Sequence, residues 1–299
     1  KLVYAFVLFY AFFGGVFFIL LSDPVSGVAN TVASSDRYLA WAFYLFAESY
    51  LTIMVALYWS FINDITTSAV AKKGYAMIIF GSQFGGLVFS FIGDHLMSDP
   101  SAYVTRAPLI VAISSAMFLM LGSIVWLLTH TVPAHLLEST SEAPKKKEKV
   151  GVLEGLLVFI KQPYVAGIFG LVFFQEVIST LMGLQMATEV ETYYLDAGVR
   201  TQYFFRYALI LQLIACVFAL LGTSYVHRRF GTRACLIGFP FGLLLCGIAY
   251  LIKPHLHVVT FFMLMIKALH YAMNQPIKES LYIPTTREIK YKAKAWIDM

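Results

Sequence analysis

Long apolar runs separated by short polar breaks dominate the chain. Eight runs of about 20 residues, each enough to cross roughly 30 Å of hydrocarbon as a helix, fall at 1–21, 39–62, 74–96, 107–128, 164–186, 204–226, 234–252 and 257–281. Pro24, Pro100, Pro133, Pro144, Pro163, Pro254 and Pro284 lie between or just outside them, where helix breakers belong. The pattern predicts an all-α integral membrane protein whose spans leave no room for a sizeable aqueous domain. The first run follows Lys1 as the core of a signal peptide would, but it is too long and too aromatic for one. Because the chain opens at Lys1 directly into a run and ends at Asp298-Met299 without a tail, a fragment of a longer protein is expected.

Composition sharpens this reading. Of 299 residues 59% are hydrophobic and 13% charged, against roughly a quarter charged in an ordinary soluble domain, which excludes a water-soluble globule. The net charge of +5 matters through its placement, since basic loops orient membrane helices, and it does not point to nucleic acid. The longest polar stretch, 129–162, contains the basic segment Pro144–Lys149 and divides the runs four and four. The expected organisation is an incomplete N-terminal transmembrane half, 1–128, a basic cytoplasmic linker, 129–162, and an incomplete C-terminal transmembrane half, 163–299. With the linker in the cytoplasm, alternation puts fourteen Lys and Arg residues inside and four outside, the four being Arg37, Arg106, Arg200 and Lys253. That asymmetry supports the orientation.

Four charges inside the runs stand out: Glu48, Glu176, Lys267 and Lys278. At bilayer depth each costs at least about 2.5–3.5 kcal/mol, so each needs a partner, a wet cavity or a task. Lys267 and Lys278 are 11 residues apart, about 20° from three full helical turns, and Tyr271 and Asn274 lie within about 40° of Lys267. Lys267, Tyr271, Asn274 and Lys278 therefore form a polar stripe, which Pro276 loosens by removing a backbone hydrogen bond. The plainer reading is that Lys278 snorkels to the interface while Lys267 pairs with a helix carboxylate for packing. Glu48 has Tyr44 and Thr52 four residues to either side, and Gln175, Glu176, Ser179, Thr180 and Gly183 make a second polar face. For each glutamate a structural salt bridge and a transport role stand level. Cys216, Cys235 and Cys246 sit in apolar runs and read as packing, and His255-x-His257 reads as a solvated loop without a third ligand. With no Walker-type phosphate loop and no assignable nucleophile set, neither an enzyme nor a bound cofactor or metal is expected.

Three segments together resemble the ATP/ADP translocase family of plastids and obligate intracellular bacteria, which is distinct from the mitochondrial carrier. The first is Asn274-Gln-Pro-Ile-Lys-Glu-Ser-Leu-Tyr-Ile-Pro-Thr-Thr-Arg-Glu-Ile-Lys-Tyr-Lys-Ala-Lys-Ala-Trp-Ile-Asp298; the second is Phe46-Ala-Glu-Ser-Tyr50 with Tyr58-Trp-Ser-Phe-Ile-Asn63; the third is Lys161-Gln-Pro-Tyr-Val165 after the basic linker. The resemblance implies a twelve-span, major-facilitator-like transporter of which these runs would be spans three to ten. It implies exchange of ATP for ADP by alternating access. The alternatives are a proton-coupled carrier of another anionic metabolite, with Glu48 or Glu176 taking up the proton, and a non-transporting scaffold or receptor.

By resemblance Glu48 matches a family acid in the transport path and Lys278 a family lysine that handles the nucleotide. The family acid of the fifth run aligns with Gly183, whereas this chain carries Glu176, about 20° away around the helix and roughly 10 Å along it. The expected substrate-binding set is Lys278, Glu48, Lys267, Asn274, Tyr271 and Glu176. Expected partners are ATP and ADP, with anionic lipid at the basic C-terminal segment. A bacterial inner membrane is expected ahead of a plastid envelope.

Overall fold

The computed structural model describes residues 2–32, 34–65, 68–131, 162–221, 238 and 240–269. Among these residues the fold is all helical: α1 (Leu2–Leu21), α2 (Tyr38–Ile65), α3 (Ser68–Leu96), a 3-10 turn (Pro100–Ala102), α4 (Tyr103–Thr131), α5 (Pro163–Tyr193), α6 (Ala197–Leu221), α7 (Pro240–Ile252) and α8 (Leu256–Leu269). Each of the eight apolar runs coincides with a helix over its described part. Among the described residues four helical stretches are long and apolar enough to cross a membrane by length and composition: Leu2–Leu21, Tyr38–Val55, Pro100–Thr131 and Pro163–Tyr193. Their outward faces are apolar too, with Leu8, Phe12 and Ile19 of α1 and Phe173, Phe174 and Leu181 of α5 all exposed. Lipid, not water, is the solvent that suits such surfaces.

Helix ends follow local chemistry. Pro163 opens α5 at its first turn, where the missing N–H is no loss. At its other end α5 outruns the apolar stretch, which stops at 186, and continues to Tyr193. Thr188 and Thr192 donate to the carbonyls of Leu184 and Thr188 at 3.1 and 2.9 Å, so the polar turn keeps its hydrogen bonds within the helix. Between α3 and α4 the Ser101 hydroxyl donates to Asp99 at 2.7 Å, while Arg106 donates to the Leu96 carbonyl at 3.1 Å and lies 3.8 Å from Asp99. The Ser101 hydrogen bonds and the nearby guanidinium hold the Asp99 carboxyl below the usual aspartate range.

Two compact units can be distinguished. The first holds α1, α2, α4, the two ends of α3 (to Tyr75 and from Ile92) and the segment Asp196–Gln202. Its core is an aromatic cluster on Tyr10, whose ring centroid lies 5.4, 5.7 and 5.8 Å from Phe46, Tyr50 and Phe118. The Tyr10 hydroxyl donates to Ser49 Oγ at 3.1 Å, and Ser49 donates to the Phe46 carbonyl at 2.8 Å. A phenol buried in this way keeps its polar end satisfied. Gly14 lets α1 approach α4 at Ser115.

The second unit holds Ala76–Phe91 of α3, α5, α6 from Tyr203, α7 and α8. Met186 and Val190 of α5, Leu243 and Tyr250 of α7, and Leu256, Val259, Phe262, Met263 and Ile266 of α8 form one buried core. Cys216 is buried and free and Cys246 is half-buried and free, as packing residues are; Cys235 lies outside the described residues.

Candidate functional site

The membrane-depth charges can be placed on their helices one by one. Phe46, Tyr50, Met54 and Leu57 of α2 face the aromatic core. Glu48 is two positions from both Phe46 and Tyr50, hence about 160° around the helix from each, and it is exposed together with Tyr44 and Thr52. Tyr44, Glu48 and Thr52 therefore lie on a face of α2 that points away from α1. The Thr52 hydroxyl donates to the Glu48 backbone carbonyl at 3.2 Å, the bond available to any helical threonine.

On α5 the expected polar face divides in two. Gln175 and Ser179 are buried along the line Val165, Ile168, Gln175, Ser179, Met186 and Val190, while Glu176 and Thr180 are exposed. Adjacent residues differ by about 100° on a helix, so one polar run supplies both a packed edge and an open one. Gly183 turns toward α8, where a Cβ would sit 3.7 Å from the Met263 methyl. Lys267 is half-buried on α8, one turn beyond Met263. Among the described residues Lys267, Glu48 and Glu176 form no ion pair. Tyr271, Asn274 and Lys278 lie outside the described residues.

A further polar group, absent from the sequence-based set, is visible in the second unit. The Tyr250 hydroxyl of α7 donates to Glu189 Oε1 of α5 at 3.0 Å, and Gln185 also hydrogen-bonds it. Nearby, the Tyr203 hydroxyl and Thr260 Oγ1 are hydrogen-bonded, and Thr260 donates to the Leu256 carbonyl at 2.7 Å. Glu189 lies just beyond the apolar run of α5, where charge carries no special signal. Its i, i+4 spacing from Gln185 was the available clue.

The apolar helices, their lipid-suited outer faces and the charges carried within apolar stretches define a polytopic helical membrane protein. The sequence pattern of the TLC ATP/ADP transporter family matches residues 3–299, and the chain belongs to that family. It is 23% identical to ADP,ATP carrier protein 2, chloroplastic, of Arabidopsis thaliana, over 97% of this chain and 54% of that one. It is 23% identical to ADP,ATP carrier protein 1 of Chlamydia pneumoniae, over 91% and 59% respectively, and 22% identical to ADP,ATP carrier protein 1 of Rickettsia prowazekii, over 86% and 57%. The chain thus spans about half the length of the curated relatives it matches. No solved structure matches.

Proposed function

We propose that this chain forms the greater part of the membrane domain of a nucleotide exchanger that moves ATP against ADP by alternating access. The observation that carries the reading is the family match along residues 3–299, in a chain whose apolar helices keep charged side chains at membrane depth. In this reading the eight runs are spans three to ten of a twelve-span, major-facilitator-like fold, with halves 1–128 and 163–299 joined by the linker 129–162. The substrate path carries Glu48, Glu176, Lys267, Tyr271, Asn274 and Lys278. The host membrane is a bacterial inner membrane, and anionic lipid is held by the basic segment after Lys278.

The physical chemistry is consistent. A nucleotide polyphosphate is a multivalent anion, and lysines in a narrow path replace part of its hydration with charge-assisted hydrogen bonds. Carboxylates in the same path disfavour states in which those lysines and the anion are mismatched. Exchange of ATP for ADP moves about one charge per cycle, worth about 2.3 kcal/mol per 100 mV, so the membrane potential can bias direction without hydrolysis. The test is uptake of labelled ATP by the reconstituted full-length protein, with and without internal ADP. Uptake that requires internal ADP is expected. Uptake indifferent to internal nucleotide but driven by a pH gradient would favour the proton-coupled carrier, and no uptake of any nucleotide would favour the scaffold.

Two further outcomes are expected. A cysteine placed near Lys146 is labelled only from the cytoplasm and one near Asp196 only from outside, because of the fourteen-to-four bias in basic residues; labelling of both from one side would overturn the eight-span reading. Glu176→Gln lowers exchange about tenfold, the equivalent of about 1.4 kcal/mol of lost stabilisation. Combining it with Gly183→Glu restores only part, because a side chain at 183 has to enter the contact with Met263. Since α5 and α8 run in opposite directions in this reading, Lys267 lies on the same side of Gly183 as Glu176 does. A monodisperse Glu176→Gln protein that exchanges at the parental rate across a pH series would make this carboxylate structural.

A further inference from the structure

We infer that Gln212 accepts a hydrogen bond from the exocyclic amino group of the adenine base, and so selects adenine nucleotides. The inference rests on the exchange reading above and deepens it by assigning base recognition, which none of the charged residues supplies.

Gln212 is the one amide in the otherwise apolar stretch Ala208–Val217 of α6. Its side chain lies against α3 at Gly86: a Cβ on Gly86 would fall 2.5 Å from Gln212 Nε2, 2.8 Å from Cδ and 3.3 Å from Cγ. The amide occupies a notch that exists because residue 86 has no side chain. The helices meet again three residues along, where the Phe89 and Phe205 rings are 6.3 Å apart edge to face, and Ser90, one turn from Gly86, is buried. Within this joint Gln212 Oε1 is buried and, among the described residues, has no hydrogen-bond partner. Gln212 belongs to the same compact unit as Glu176 and Lys267.

A buried acceptor without a donor forfeits its hydration and gains nothing in return. Leucine or methionine fills a similar volume without that loss, so packing alone does not account for an amide here. A donor that arrives with the transported molecule does account for it. The amide oxygen is neutral, so it suits an uncharged N–H better than an ammonium group, whose natural partner is a carboxylate. The ionised oxygens of a polyphosphate have no N–H to offer. The adenine amino group has two, and a side-chain amide oxygen is an acceptor that such an amino group suits. With Nε2 held in the Gly86 notch, one hydrogen bond, from the amino group to Oε1, is the contact available.

Inosine triphosphate tests this, because its base carries an oxygen where adenine carries the amino group and would set acceptor against acceptor. In the reconstituted full-length protein, exchange of ATP is expected to be preferred over exchange of the inosine nucleotide by at least about tenfold in KM, since a site built to accept one donor rejects the analogue lacking it. Gln212→Leu should raise the KM for ATP toward that for the inosine nucleotide, leaving the two within about twofold, with the maximal rate for ATP little changed. Gln212→Glu keeps an acceptor oxygen and should retain the preference. Gly86→Ala fills the notch, displaces the amide and should behave like Gln212→Leu. A parental protein that exchanges both nucleotides equally would overturn the inference whatever the variants do, and so would a Gln212→Leu protein that keeps the preference. A loss of selectivity confined to 2′-deoxy-ATP would assign the donor to the ribose instead and overturn it too. Failure of the parental protein to exchange ATP at all would instead refute the exchange reading.

Discussion

Lys278→Ala in the full-length protein is expected to lower exchange by about 10- to 100-fold, whereas Lys292→Ala at matched expression stays close to the parental rate. Hydrogen bonds to charged groups contribute about 1.5–3 kcal/mol, which gives a loss of that size when a lysine on the substrate path is removed. Lys278 lies 11 residues from Lys267 and shares its helical face by sequence spacing, with Tyr271 and Asn274 between them. Lys292 belongs to the basic segment beyond the last apolar run, where a single lysine attracts anionic lipid by about 1 kcal/mol and its neighbours compensate for its loss. The measurement is exchange of labelled ATP in vesicles with internal ADP. Equal and mild effects from the two substitutions would remove Lys278 from the path and leave Lys267 as a packing residue.

The elements were more legible in the sequence than the pairings between them. A run of about 20 apolar residues makes a helix wherever lipid surrounds it, because the backbone has no other way to satisfy its hydrogen bonds there, so the helices of the eight runs, over their described parts, could be read from hydropathy. Their ends were harder to read where polar residues continue a helix, as Thr188 and Thr192 do at the end of α5. Spacing alone grouped Gln175 with Glu176 on one polar face, yet one is buried and the other exposed. Helical periodicity sets angles between residues but not which angle a neighbouring helix covers. The notch at Gly86 shows the same limit more sharply. Gly86 and Gln212 are far apart in sequence, and neither has a motif around it; their relation exists only through the approach of α3 and α6. Charges at depth were conspicuous because they are costly. A neutral amide in an apolar helix is cheaper and correspondingly quieter.

Gly14→Val is expected to be strongly destabilising, while Gly15→Ala on the same helix leaves stability unchanged or raises it. A Cβ at Gly14 would lie 2.1 Å from Ser115 Oγ and 3.2 Å from Ser115 Cβ. The hydroxyl can rotate away only by giving up its 2.9 Å hydrogen bond to the Val111 carbonyl, and the Cβ contact stays tight even then. Valine adds two more carbons at this point, so α1 and α4 must separate, and overpacking of this kind costs about 1–3 kcal/mol. The aromatic cluster on Tyr10, one turn away, would loosen with them, because Phe118 reaches it from α4 and Phe46 and Tyr50 from α2. Gly15 is the opposite case: nothing lies within 4 Å of a Cβ there, and alanine in a helix interior is favoured over glycine by about 0.5–1 kcal/mol. Thermal unfolding of the detergent-purified full-length protein measures both. Gly14→Ala combined with Ser115→Gly supplies the decisive arm, since removing the opposing side chain should return most of what Gly14→Ala alone loses, with a coupling of about 1–2 kcal/mol between the two sites. Transport in these variants should fall with the folded fraction and keep the parental KM, because Gly14 touches α4 and no proposed substrate contact. Independent, additive effects at 14 and 115 would mean that α1 and α4 do not meet at this point.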